Sequence, residues 1–188
     1  MNDILESPEV RERVSRLSVA EYHQLGEFNE NGKRTELIRG IVIEKMSKAP
    51  LPSSIVSRLF RRIDRQLPEG LSAWKEEPLS FMDSEPEPDI SVVRGSEKDR
   101  DLSHPKTAEL VVEVAITSAR FDRENATLYA EAGVKEYWIV IPRQRQVEVY
   151  RQPAGGAYRE NLLFSENEML VCQSVPEIRL ALGDIFPS

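Results

Sequence analysis

The chain has 188 residues, 40% hydrophobic and 30% charged, and 25 Lys and Arg stand against 32 Asp and Glu for a net charge of −7. That length suits one domain with its own core and the balance excludes a disordered chain, while the acid excess argues against a passive nucleic-acid coat, whose affinity comes from neutralising phosphates. One cysteine, Cys172, and two histidines, His23 and His104, exclude an intrachain disulfide and a thiolate or histidine-rich cage, so a metal here would be held by oxygen.

In chain order, Ser7-Pro8-Glu9 places proline where a first helical turn accepts it, and Ser18 to Glu21 has capping-box spacing for a second helix running to about Leu25. Asn29 to Gly32 is a turn cluster. Residues 35–46 alternate around Gly40 and read as a strand pair or one bent strand. From Ile55 to Leu67 an apolar stripe of Val56, Leu59, Phe60, Ile63 and Leu67 predicts an amphipathic helix, with Arg58, Arg61, Arg62 and Arg65 filling the other side. Strands are expected around 72–82, interrupted by Pro78, and over 89–94, with a polar loop between Gly95 and Lys106.

Residues 109–116, ELVVEVAI, are β-branched and almost continuously apolar, as in a strand buried on both faces. A helical pattern from Ala119 to Ala132, capped by Gly133, leads to a second buried strand at 135–142. This is one strand–helix–strand crossover. Segments 145–151, 157–164 and 169–172 read as an antiparallel extension around Gly155-Gly156, and Leu180 to Phe186 closes the chain. No apolar run approaches a membrane span, and MNDILESPEV lacks the features of a signal peptide, so a cytoplasmic protein is expected.

Three carboxylates stand in places that need explaining. Glu113 lies between Val112 and Val114 in the buried strand, where it pairs with a core arginine or meets a cation. Asp89 follows Pro88 at the head of DISVV, a position that turn chemistry alone also produces. Glu36 heads ELIRGIVIE as an exposed first strand residue or a third ligand. Carboxylates converging from neighbouring strands make an oxygen cage suited to Mg²⁺ or Mn²⁺, which serves attack of water on a phosphodiester.

Pro88-Asp89 followed by Glu113 in VVEVA resembles the PD-(D/E)XK nuclease superfamily. The resemblance is closer to its large branch of small restriction-endonuclease-like proteins of unknown function. It is carried by Thr35-Glu36-Leu37-Ile38 with Gly40, Glu85 to Ile90, Val112-Glu113-Val114 with Ser118, Asp122-Arg123, Tyr129 to Val134 and Glu136-Tyr137-Trp138, and spans about residues 15–186.

The resemblance implies an α/β restriction-endonuclease-like fold: a central mixed sheet flanked by helices, with an antiparallel hairpin extension. Residues 1–188 would form a single domain, with a helical arm at 1–14. It also implies a Mg²⁺ (or Mn²⁺) site from Glu36, Asp89 and Glu113, DNA as substrate cleaved by a metal-activated water, and a homodimer. The superfamily lysine lies two residues after the acid, here Ala115; many members of this branch carry it four residues before the tyrosine of YAEAG, here Asn125. An asparagine amide orients water or phosphate but carries no positive charge. Lys45 and Lys106 are the lysines that could reach the site from elsewhere. Members often also have a histidine where Ser53 and Ser54 stand. A metal-dependent endonuclease is therefore expected, and the alternative is a degenerate nuclease fold serving as a dimeric nucleic-acid or protein interaction module. A nuclease for RNA or structured DNA is a third reading.

The four arginines of the 55–67 helix either touch DNA phosphates or form a solvated face. Tyr129, Tyr137 and Trp138 stack bases or, as expected here, pack beside the central strands. Cys172 reads as a small core residue.

Overall fold

The computed structural model describes residues 7–27, 34–45, 50–95 and 103–186, so the turn expected at 29–32 and most of the polar loop after Gly95 lie outside the described residues. The chain divides into two compact units, one of Met1–Met46 with Met82–Pro86 and one of Ser47–Phe81 with Glu87–Ser188.

In the first unit, α1 (Pro8–Arg13) starts on the proline and α2 (Val19–Glu27) on the expected capping box. Ser18 Oγ accepts from the Glu21 N–H at 3.2 Å, and Glu21 Oε2 accepts from the Ser18 N–H at 2.8 Å. Residues 35–46 resolve as a strand pair: β1 (Thr35–Ile38) and β2 (Ile41–Glu44) run antiparallel with Thr35 opposite Glu44 and Ile38 opposite Ile41. Arg39 and Gly40 form the two-residue turn, both at positive φ (52° and 74°), the twist that suits a tight hairpin. Gly40 is required twice over, because a Cβ there would lie 2.6 Å from Arg16 Cβ.

In the second unit a six-stranded sheet has the order β3 (Leu71–Lys75), β4 (Ile90–Arg94), β5 (Leu110–Val114), β6 (Glu136–Ile141), β7 (Gln146–Ala154), β8 (Ala157–Ser165). Only β5 and β6 are parallel, and α4 (Ala119–Glu131) is the crossover that joins them. The period of two along β5 divides the core. Leu110, Val112 and Val114 pack with Ile55, Val56, Leu59 and Ile63 of α3 (Pro50–Asp64), while Val111 and Ala115 pack with Ala126 and Tyr129 of α4.

Three boundaries differ from the sequence reading. The strand expected over 72–82 ends at Lys75, because Glu76 turns to a φ of 56° and Pro78 follows. The amphipathic helix runs from Pro50 to Asp64 rather than on to Leu67. The 169–172 segment does not join the hairpin of β7 and β8: β9 (Met169–Val171) pairs instead with β10 (Arg179–Ala181) in a separate two-stranded sheet.

That C-terminal segment is tied to the main sheet by Glu136, 1% exposed. Its Oε1 accepts from Trp138 Nε1 at 2.8 Å and Arg151 Nε at 2.9 Å, and its Oε2 from the Gln173 N–H at 2.6 Å. Arg151 also donates to the Val171 carbonyl at 2.7 Å. Burial and the neighbouring Glu136 charge push the Cys172 thiol up to about 12, so this cysteine is a packing residue and not a nucleophile. Breaking a buried ion pair strands the remaining charge. Arg151→Ala is therefore expected to cost about 3–5 kcal/mol in urea denaturation, well above the cost of Arg159→Ala on the exposed side of β8.

Candidate active site

The antiparallel register of β4 and β5 sets Ile90 opposite Val112 and Ser91 opposite Val111. One step further, Asp89 stands opposite Glu113, and the period of two puts Glu113 on the sheet face that α4 covers. The two acids are cross-linked through the main chain: Val114 N–H donates to Asp89 Oδ2 at 2.7 Å, and Asp89 N–H donates to Glu113 Oε2 at 3.2 Å. Glu113 Oε1 accepts from the Tyr129 hydroxyl at 3.1 Å. Asp89 is 6% exposed and Glu113 half-buried, and these donors offset the cost of holding two carboxylates out of water.

Tyr129 is the contact that sequence reasoning missed. The available signal was general: a tyrosine buried on a helix face needs a partner for its hydroxyl, and the strand beneath carried an acid. The ring belongs to a row on this face: Phe81, Tyr129, Tyr137, Tyr150 and Tyr158, with centroids from 4.7 to 6.1 Å apart. Tyr129 and Tyr137 are fully buried, and Trp138 is buried on the opposite face, so all three pack as expected and present no surface to bases. Burial, reinforced by the negative charge of Glu113 and Asp122, holds the Tyr137 hydroxyl protonated well above its ordinary range, and it donates to the Asp122 carbonyl at 3.0 Å.

Asp122, Asn125, Ala126 and Tyr129, four of the six buried residues of α4, follow one another at the 3/4 spacing. Asn125, 9% exposed, thus lies one turn before the tyrosine that holds Glu113. Ser118 Oγ donates to Asp122 Oδ2 at 2.7 Å, across the first turn of α4.

Glu36 lies on β1 in the first unit, its side chain 12% exposed, with Lys45 Nζ 4.0 Å from its Oε2. The structure therefore brings Asp89 and Glu113 together, with Asn125 on the helix that covers them. Among the described residues no three His, Cys, Asp or Glu side chains stand in metal-holding geometry.

The arginines of α3 divide in two. Arg58 donates to the Ile185 carbonyl at 2.8 Å and Arg62 pairs with Asp184 at 3.2 Å, so both bind the C-terminal turn. Arg61 and Arg65 are exposed.

Arg123 holds α4 to β7 through a two-pronged pair with Glu148, Nε to Oε2 at 2.9 Å and Nη2 to Oε1 at 2.5 Å. The Arg123 hydrogen bonds keep the Glu148 carboxyl below its ordinary value of 4.5. A depressed folded-state pKa contributes stability above the unfolded value and loses it as pH falls through the folded one. Arg123→Ala is accordingly expected to be less stable at pH 7 and to lose less stability than the parent on acidification below pH 4.5, as read by urea denaturation on either side of that value.

Three comparisons set this architecture among known proteins. No curated protein matches the chain. A crystal structure described as a putative nuclease belonging to DUF820, from Anabaena variabilis ATCC 29413, superposes with a TM-score of 0.75 at 23% identity, covering 90% of this chain and 97% of the other. That likeness establishes the fold. The profile of the Uma2 family, described as "Putative restriction endonuclease", matches residues 19–183, and the chain belongs to that family.

Proposed function

We propose that the protein is a Mg²⁺- or Mn²⁺-dependent endonuclease that hydrolyses DNA phosphodiester bonds, with Asp89 and Glu113 as the carboxylates that hold the cation. Family membership supports a nuclease at the coarse level. The observation that supports the finer reading is the Asp89–Glu113 pair, one buried and one half-buried, opposite each other across β4 and β5 and cross-linked by main-chain bonds.

The donor set fits the cation. Mg²⁺ takes hard oxygen ligands and is commonly held by one or two carboxylates, with water and substrate phosphate completing the octahedron. When bound, such a cation lowers the pKa of water and offsets charge building on the phosphate. The chain's own groups do the rest. Tyr129 fixes the rotamer of Glu113 through its hydroxyl, and the Asp89 and Val114 N–H groups fix the spacing of the two acids. The Asn125 amide, one turn before Tyr129, orients a phosphate oxygen or a water by hydrogen bonding without supplying charge. DNA as substrate, a homodimer and a cytoplasmic setting belong to the same reading. Among the described residues no helix is long and apolar enough to cross a membrane.

The neutral Asn125 favours a second reading, a degenerate nuclease kept as a dimeric interaction module. Titration calorimetry with Mn²⁺ and plasmid cleavage separate the two. Under the endonuclease reading, the parent binds Mn²⁺ with micromolar-to-millimolar affinity and cleaves plasmid, Glu113→Ala loses both, and Asn125→Lys cleaves at a rate comparable to the parent. An inert parent that gains cleavage only with Asn125→Lys establishes the module instead, and absence of Mn²⁺-dependent heat removes the site.

A further inference from the structure

The division of the α3 arginines leaves a second feature in the same unit as Asp89 and Glu113. Ser57, Phe60 and Arg61, at the 3/4 spacing on one face of α3, together with Lys75 at the end of β3, line an open groove of about 330 Å³. Arg61 and Lys75 are both exposed, and Phe60 and Ser57 are half-buried in the wall. Arg58 and Arg62 face away, committed to Ile185 and Asp184. Arg65, just past the end of α3, is also exposed.

The register locates this groove against the acids. Lys75 lies opposite Ile90, the residue after Asp89, and the next residue's N–H, from Glu76, donates to the Asp89 carbonyl at 3.2 Å. Lys75 has the parity of Ala73, which packs on the α3 face, whereas Glu113 lies on the α4 face. The two cations and the two acids therefore share one end of the sheet, on opposite faces of it. Neighbouring strands are about 4.8 Å apart, so β3 and β5 are about 10 Å apart in the plane of the sheet, and a nucleic-acid strand that meets both faces must pass round the end they share.

The geometry points to the groove between α3 and β3 as a phosphate-backbone clamp, in which Arg61 and Lys75 neutralise phosphates of the DNA strand whose scissile bond lies at Asp89 and Glu113. This assignment rests on the endonuclease reading and adds to it the track by which substrate is held. Charge complementarity selects the occupant. The groove pairs two cations with one hydroxyl donor and one aromatic edge, the set that grips phosphodiester and sugar without reading sequence.

The test is the salt dependence of binding, measured by fluorescence anisotropy with a short labelled duplex in EDTA, so that no cleavage intervenes. Each phosphate contact contributes about 0.9 to the slope of log K against log salt. Arg61→Ala with Lys75→Ala is expected to weaken binding and to flatten the slope by about 1.8. Lys135→Ala with Arg159→Ala, which removes the same charge from other exposed positions, is expected to leave the slope unchanged. An unaltered slope in the groove variant, or equal losses in both double variants, overturns the clamp. Displacement of the duplex by micromolar inorganic phosphate or mononucleotide assigns the groove to a free anion and overturns it as well. Plasmid cleavage with Mn²⁺ separates the two claims. A parent that cleaves while the groove variant keeps its slope loses the clamp alone, whereas a parent that neither binds nor cleaves loses both.

Discussion

A carboxylate in the middle of a strand buried on both sides is the constraint on which the rest of the second unit depends. β5 can be parallel to β6 only if a crossover connects their ends, and the helix that makes it here must bury its own apolar face on the sheet. The face it covers is the one that carries Glu113. The crossover thus closes over the acid, and the residues of α4 that fall nearest the sheet must accommodate a charge as well as pack. Tyr129 does both, with its ring in the aromatic row and its hydroxyl on Glu113 Oε1. A phenylalanine would fill the same volume but remove that hydroxyl donor.

The same logic accounts for the acids that are not at the site. Glu148 on β7 meets Arg123, Glu136 on β6 meets Arg151, and Glu109 ahead of β5 meets Arg94 at 2.6 Å. Each couples elements distant in sequence: α4 to the hairpin, the C-terminal segment to the sheet, and the end of β4 to the start of β5. Asp89 and Glu113 accept from main-chain N–H groups and a neutral hydroxyl, donors that stabilise a carboxylate.

How much of this is legible in the amino acids follows from the range of each interaction. β5, α4 and β6 are read from periodicity alone, because continuous β-branched strands and a 3/4 stripe ending at Gly133 are local patterns. The capping box at Ser18 and the Gly155-Gly156 hairpin are equally local. Asp89 and Glu113 stand out because an acid among valines is anomalous wherever it lies. The end of β3 is less legible, since a strand pattern persists past the residue whose φ turns positive at Glu76. The partner of β9 and the split among the α3 arginines are invisible at that range. Arg58 meets a carbonyl 127 residues away, and nothing in the helix distinguishes it from Arg61. Composition and spacing show that a residue needs a partner; only the fold says which partner arrives.

Net charge illustrates the same point in energetic terms. An excess of seven acids describes the field at a distance, but at physiological salt that field is screened beyond about 8 Å. Within that radius what counts is which charges are already paired. Arg58 and Arg62 are spent on the C-terminal turn, Arg123 on β7 and Arg151 on Glu136, so these four guanidiniums, which a count would offer to a nucleic acid, hold the protein together instead. Arg61 and Lys75 face solvent at the sheet end that bears Asp89 and Glu113. An acidic chain disfavours indiscriminate coating of nucleic acid, and under the proposed clamp the exposed Arg61 and Lys75 would be the place where a strand is still admitted.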